Sequence, residues 1–589
     1  MSDTKRSAVR LFGLSLLLVF GGGLLAWLVQ TDFGAVAVRD IRFQDANGAT
    51  LSALLYIPDG ASADHRVPAV LAVHGYINSR ETQSPYAIEL ARRGYAVLNL
   101  DQRGHGYSDP PAFAAGFGGP AGLRYLRSLE FVDTDQIALI GHSMGGWTVL
   151  SAAAAMPDAY RSVIVSGSST GTFGVPAGDT HFPRNFGLVF GQFDEFAPTM
   201  WGARAGSEVG ATDRLQQQFG TQEPVQPGQL YGNLDTGTAR KLYQPRQTHP
   251  ANHITRGGVA PVIDWVQTTT AAPRPLAPDD QIWFLKEFGT LLSLAGGMVF
   301  LIAFSRLLAG LTLFRPLHYV PPAAVADRGT GWWSAVLLLI AIPALTYFPL
   351  QGAADALPAN AWFGQNLTSG VMVWALGNAA ISAVLLAVWL FQSGVGVNAR
   401  GFSQLGLTWP AGTRVRNFTL TLLLAVATVA GLYLVLAVDH FLFTADMRFW
   451  VVALKLMNAI QFHEFLVYLL PFTLFFLVSG SVLHGRMRTG NAATDTPRML
   501  ATNSLLMGGG IALLLAWQYA TLFVTGALAI PSQALLTIVA LQFVVLLPLT
   551  AVLSSYFFQL TGRVYAGAFV NALLITWLIV AGQATHYAY

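Results

Sequence analysis

The sequence predicts two fold classes in one chain: an α/β domain built on a mostly parallel sheet flanked by helices, and an all-α polytopic transmembrane domain. Three observations predict it. Hydrophobic residues make up 53% and charged residues 11% of the 589, whereas soluble domains carry roughly 25% charge; most of the chain therefore avoids water, and disorder is excluded. The charge is also unevenly spread. Residues 285–589 hold 13 Lys/Arg and 7 Asp/Glu, a net +6, which leaves 21 and 24, a net −3, in the first 284. Finally, residues 38–284 alternate short β-rich runs with helical stretches, the pattern of a parallel sheet covered on both faces.

The first element is the apolar run Leu11–Val29, preceded by Lys5, Arg6 and Arg10. Its 19 residues exceed the about 7–15 of a signal-peptide core, so the sequence favours an uncleaved anchor over residues 1–30. A cleavable signal ending at Ala35-Val36-Ala37 is the alternative. Ile41–Phe43 and Leu51–Ile57 flank Asn47-Gly48, a hairpin signal because both turn residues tolerate positive φ. Val67–Val73 and Tyr95–Leu100 read as strands separated by a helix near Pro85–Arg93. Ile137–Ile140, Val163–Val165, Phe186–Phe190 and Lys241–Tyr243 are further strands, and a helix ends near Asp264-Trp265-Val266.

Chemistry is concentrated at Ile140-Gly141-His142-Ser143-Met144-Gly145-Gly146. This is G-x-S-x-G between a strand and the small-residue helix Met144–Ala155, where flanking glycines leave room for a sharp turn that exposes Ser143. The amide of Met144, at the helix N-terminus, faces a developing oxyanion. Strand Val70–Val73 runs into His74-Gly75-Tyr76, which places the Tyr76 amide as a second donor.

These motifs, together with Asp101-Gln102-Arg103-Gly104-His105-Gly106-Tyr107-Ser108-Asp109 and Val132–Gly146, resemble the α/β-hydrolase superfamily, in particular its dienelactone-hydrolase and prolyl-oligopeptidase-like branch. The resemblance covers about residues 38–270. It implies a serine hydrolase whose acid and base follow the serine in chain order. Gly191-Gln192-Phe193-Asp194 is similar to the family's G-x-x-D, making Asp194 the acid and leaving Glu195 to point elsewhere. His249 and His253 both qualify as base. The family's spacing of about sixteen residues to the bulky residue of the last helix favours His249, with Trp265 as that residue, and leaves His253 lining the pocket. His105 and His142 belong to turn motifs and are expected to bond loops. Only about 20 residues separate Val165 from Phe186, so no large lid is expected there; the segment 196–240 is the expected substrate-facing excursion.

Eight further apolar runs follow, near 289–311, 332–350, 367–391, 418–438, 463–483, 501–525, 533–558 and 565–585. Arg306, Arg315, Arg328, Arg400, Arg414, Arg416, Arg486, Arg488, Arg498 and Arg563 fall at the ends of every second span or in the loops after them, which a nine-span count puts on one side. The positive-inside bias then gives nine spans, the N-terminus in the cytoplasm and residues 31–284 outside it, in a bacterial inner or plasma membrane. The stretch 447–483 reads as an interfacial helix before one span, or as a hairpin of two that would flip the last three helices. An interfacial segment would put Lys455, His463 and Glu464 near headgroup depth.

The domains expected are therefore an anchor (1–30), an extracytoplasmic hydrolase domain (31–284) and a transmembrane domain (285–589). The expected partners are the lipid bilayer and an acyl ester or amide substrate, a class that includes lipid-like molecules. Nucleic acid is not expected, because the excess base lies in the apolar half. With no Cys there is no cysteine nucleophile or disulfide, no metal-ligand spacing is present, and no cofactor is expected. A transporter or receptor with a non-catalytic hydrolase-fold domain is the alternative, disfavoured because a binding module need not retain Ser143, Asp194 and His249 together.

Overall fold

The computed structural model describes residues 3–324, 328–489 and 496–589. Residues 1 and 2 of the expected anchor, and 325–327 and 490–495 of the basic loops, lie outside the described residues. Helix α1 (Asp3–Gln30) leads into the hairpin β1 (Val36–Gln44) and β2 (Thr50–Pro58), paired antiparallel with Gly48 at φ 81°. Then come β3 (Val67–Val73), α2 (Ser84–Arg92), β4 (Ala96–Leu100), α3 (Gly119–Arg127), β5 (Val132–His142), α4 (Met144–Ala155), β6 (Ser162–Ser166) and β7 (Phe186–Val189). After the short helices α5 (Ala197–Trp201) and α6 (Asp213–Phe219), β8 (Leu230–Tyr231) and β9 (Arg240–Tyr243) complete the sheet, followed by α7 (Ala251–Ile254) and α8 (Arg256–Thr269).

The strand order is β1-β2-β4-β3-β5-β6-β7-β9-β8. From β4 to β9 every pair is parallel; the hairpin and β8 are antiparallel. Alternation along β3 builds two cores, since successive side chains of a strand face opposite ways. Val70 and Ala72 pack with Tyr86, Ile88, Val259 and Trp265 of α2 and α8. Leu71 and Val73 pack with Leu123, Leu126, Val149 and Leu150 of α3 and α4. The parallel strands all end on one edge, where α/β sheets bind their ligands.

Helix α4 can start directly under that edge only because Gly145 lacks a side chain. A Cβ there would overlap the carbonyl oxygens of Val73 and His74 at the end of β3. Gly145→Ala is therefore expected to destabilise the domain by about 1–3 kcal/mol, the usual range for overpacking, read as a lower midpoint in denaturant.

The second half comprises α9 (Trp283–Ala309), α10 (Thr330–Ala353), α11 (Asn366–Gln392), the short α12 (Ala399–Gln404), α13 (Arg414–Phe443), α14 (Ala459–Ser481), α15 (Thr496–Thr525), α16 (Ala534–Thr561) and α17 (Tyr565–Gly582). Among the described residues nine helices are long and apolar enough to cross a membrane, α1 included. Helix α1 lies tightly on α9, where a Cβ on Gly22 would press on the Gly289 carbonyl and sit 2.7 Å from the Ser293 amide. Small residues permit such close helix contact in apolar bundles.

Residues 447–483 are neither an interfacial helix nor a pair of spans. They form a β-hairpin, β10 (Met447–Phe449) and β11 (Val452–Leu454), followed by the single helix α14. The hairpin turns at Trp450, which has φ 52°. Lys455 is buried against Glu81 of the α/β domain at 3.3 Å, so a protein carboxylate supplies its counter-charge.

Candidate active site

Four loops at the carboxyl edge of the sheet bring together the residues singled out in the sequence. Ser143 directly follows β5 and adopts φ 54°, ψ −124°, a sparsely populated conformation for a residue with a side chain. Its amide donates to the Ser166 carbonyl at the end of β6 at 2.8 Å, and its side chain is half-buried. Ser143 Oγ makes no hydrogen bond among the described residues; bonds of this kind in ligand-free sites commonly tighten only around substrate.

Asp194 and His249 meet across two loops held in register. Phe193 and Thr248 form an isolated parallel bridge, and the Phe193 amide donates to the Gln247 carbonyl at 3.0 Å. His249 Nδ1 lies 3.0 Å from both oxygens of Asp194. Asp194 also accepts from the Phe196 amide at 3.0 Å and from Asn252 Nδ2 at 2.9 Å. The imidazole thus donates through Nδ1 and keeps Nε2 as acceptor. Burial works to lower its pKa, but the charge and hydrogen bond of Asp194 outweigh burial and the charge of Glu195 adds to them, so His249 is more basic than free histidine.

Glu195 does turn away from the imidazole, as expected, yet it remains part of the cluster. Its Oε2 accepts the backbone N–H of His249 at 2.6 Å. Burial, followed by the neighbouring Asp194 charge, pushes its pKa up to about 7. Nothing in the sequence separated this glutamate from a surface one.

The amides of Tyr76, after β3, and of Met144, the first residue of α4, donate to no acceptor among the described residues. Two unspent donors therefore flank Ser143, one of them an orphan N–H of a helix N-terminus. Gly75 fits between, since a Cβ on it would sit 3.0 Å from Ser143 Cβ and 3.2 Å from His142 Nδ1.

Among the described residues His253 hydrogen-bonds neither Ser143 nor Asp194; its side-chain partners are Trp450 and His142. The indole N–H of Trp450, from the β10–β11 hairpin, can only donate, and it reaches His253 Nε2 at 3.2 Å. His253 Nδ1 must then carry the proton and donate to His142 Nε2 at 3.1 Å. This leaves the proton of His142 on Nδ1, which has no partner, and means that the 3.1 Å approach of His142 Nε2 to the His249 carbonyl carries no proton. Burial lowers the pKa of both, His253 to about 3 and His142 well below the ordinary value, so each holds a single proton. His105 bonds the Arg103 carbonyl at 3.0 Å within its own turn.

The helical domain roofs these loops. Tyr76 Oη hydrogen-bonds His586 Nε2 at 2.8 Å, and the Thr585 backbone pairs with Gly104 and Ala112. Phe193 packs on Phe523 with ring centroids 5.3 Å apart, and Tyr519 Oη donates to Glu195 Oε1 at 2.8 Å. Arg448 and Lys455 both reach Glu81 at 3.3 Å. Although burial opposes its charge, Lys455, Arg80 and Arg448 together hold the Glu81 carboxyl well below the ordinary range. The segment 196–240 does approach the site: Phe196 lies against the His249 ring at 4.6 Å, and Arg204 donates to the Thr525 carbonyl at 2.9 Å. No group of three or more His, Asp or Glu suited to a metal occurs among the described residues.

Residues 68–212 match a family model described as the alpha/beta hydrolase fold, and the mostly parallel sheet has that fold. Dipeptidyl peptidase 8 of Mus musculus is 30% identical over 145 residues, which cover 22% of this chain and 16% of that protein. Dipeptidyl aminopeptidase BIII of Pseudoxanthomonas mexicana is 31% identical over 137 residues, covering 20% of each. A solved α/β hydrolase from Penicillium sp. sh18 aligns with a TM-score of 0.20 at 25% identity, over 24% of this chain and 47% of that one. The chain thus spans a fifth or less of the two peptidases it matches. These relatives support a hydrolase.

Proposed function

We propose that the chain is a membrane-embedded serine hydrolase that cleaves an acyl ester or amide with Ser143 as nucleophile, His249 as base and Asp194 as the orienting acid. The observation that carries this reading is His249 Nδ1 at 3.0 Å from both Asp194 oxygens, on loops beside a serine held at φ 54°. His249 Nε2 takes the proton of Ser143 Oγ as the oxygen attacks the acyl carbon, and returns it to the leaving alcohol or amine. The carbonyl oxygen gathers charge toward the amides of Tyr76 and Met144, each worth about 3–4 kcal/mol in comparable sites. Water activated by the same imidazole then releases the acyl group.

In this reading residues 1–30 anchor the chain, 31–284 lie outside the cytoplasm and 285–589 span the bilayer. The positive-inside pattern of the arginine-bearing loops supports that orientation. The roof made by His586, Trp450 and Tyr519 comes from the apolar helical domain, which supports acyl substrates delivered from the bilayer. The test is labelling by a charged, membrane-impermeant fluorophosphonate applied to cells whose inner membrane is intact. Wild-type protein should label at residue 143; no labelling of purified protein would sink the hydrolase reading, and labelling only after lysis would invert the topology.

The pH profile is a further expected outcome. Because Asp194 raises the His249 pKa above 6.5, the acid limb of kcat/KM should fall above that value: activity is lost as the pH drops through the raised pKa and the base is protonated. Asp194→Asn removes the charge and should move the limb to lower pH while cutting the plateau by about 10⁴-fold, as loss of the orienting acid does elsewhere.

A further inference from the structure

We propose that Tyr519, on apolar helix α15, is a positioning residue for the catalytic base and acts through Glu195. The inference rests on the serine-hydrolase reading above and extends it, because it makes the helical domain a working part of the site and not only its tether. Glu195 is 2% exposed and divides its two oxygens between two donors: Oε2 takes the His249 backbone N–H at 2.6 Å, and Oε1 takes the Tyr519 hydroxyl at 2.8 Å. A buried carboxylate is costly unless each oxygen is satisfied. With one oxygen held by the base's own backbone, the tyrosine fixes where that backbone sits. Phe523, one helical turn beyond Tyr519, packs on Phe193 of the same loop at 5.3 Å, so α15 grips the acid loop at two points on one face.

The groups facing His249 come from four elements. They are Asp194 and Glu195 after β7, His142 at the end of β5 (ring centroids 4.9 Å apart), His253 on α7, and Tyr519 on α15 through Glu195. The two other histidines hold one proton each and carry no charge near neutral pH. Removing negative charge at position 195 therefore lowers the His249 pKa, and removing the tyrosine's donor weakens the charged form of Glu195 and acts in the same direction.

The test measures the rate at which an uncharged fluorophosphonate labels Ser143 in the purified full-length protein between about pH 5 and 9. Tyr519→Phe, which keeps the ring, should slow labelling about tenfold, the scale of a small displacement of a catalytic group, and move the acid limb to lower pH. Glu195→Gln should move the limb at least as far. In a Glu195→Ala background, Tyr519→Phe should add less than about twofold, because the partner through which it acts is gone.

Wild-type rate and limb in Tyr519→Phe would overturn the proposal. So would an undiminished Tyr519→Phe effect in the Glu195→Ala background, or a rate that falls equally at every pH with the limb unmoved. Should Glu195→Ala fail to fold, the limbs of Tyr519→Phe and Glu195→Gln decide alone. A wild-type protein that does not label removes the hydrolase reading and this inference together, whereas a labelling wild type with an unaltered Tyr519→Phe removes only the inference.

Discussion

Ser143→Ala is expected to lower acyl hydrolysis by about 10⁴–10⁶-fold, the loss seen when one member of such a triad is removed. The residue left behind has no nucleophilic oxygen, and only the Tyr76 and Met144 amides remain to assist attack by water. Stability should be unchanged, because Ser143 Oγ makes no hydrogen bond among the described residues and alanine retains the Cβ. Ser143→Gly provides the control. At φ 54° and ψ −124° a residue with a Cβ stores about 1–3 kcal/mol of backbone strain, so glycine should be equally inactive yet more stable than the wild type in a denaturant titration. Retention of more than a few per cent of turnover by either variant would falsify the assignment of the nucleophile.

His249→Ala should match Ser143→Ala in severity, and the double variant should lose nothing further, since residues acting as a unit do not add. His253→Ala should cost about tenfold or less, the scale of one or two neutral hydrogen bonds. The difference follows from partners. His249 donates to Asp194, whereas His253 stands between Trp450 and His142, and its removal frees an indole N–H and alters the proton position on His142. Steady-state kinetics on a short acyl ester checks the order. If His253→Ala were the more damaging, the spacing to Trp265 would have selected the wrong histidine.

Much of the α/β part was legible in the amino-acid sequence because its signals are local. Asn47-Gly48 marks a hairpin by its tolerance of positive φ, and helix Met144–Ala155 has the bounds its small residues and preceding turn implied. The Ser143 turn announces itself because its glycines must lie beside it in the chain. Asp194 and His249 were reached through family spacing, and the structure puts them 3.0 Å apart. The nine long apolar helices among the described residues were likewise readable from composition, since crossing a bilayer needs about 20 consecutive apolar residues whatever their neighbours.

What the sequence could not reveal were the joints between the two halves. Glu195 and Tyr519 are 324 residues apart, Glu81 and Lys455 374, and Tyr76 and His586 510. Each of these side chains is common on a surface, and no local spacing points from it to its distant partner. The hairpin at 447–454 escaped for a related reason: Arg448, Trp450 and Lys455 suit a membrane interface as well as they suit a buried carboxylate and a histidine. A local pattern records what a residue needs, such as burial, a turn or a counter-charge. Only the tertiary structure decides which distant group supplies it, because that choice depends on how two separately encoded cores dock.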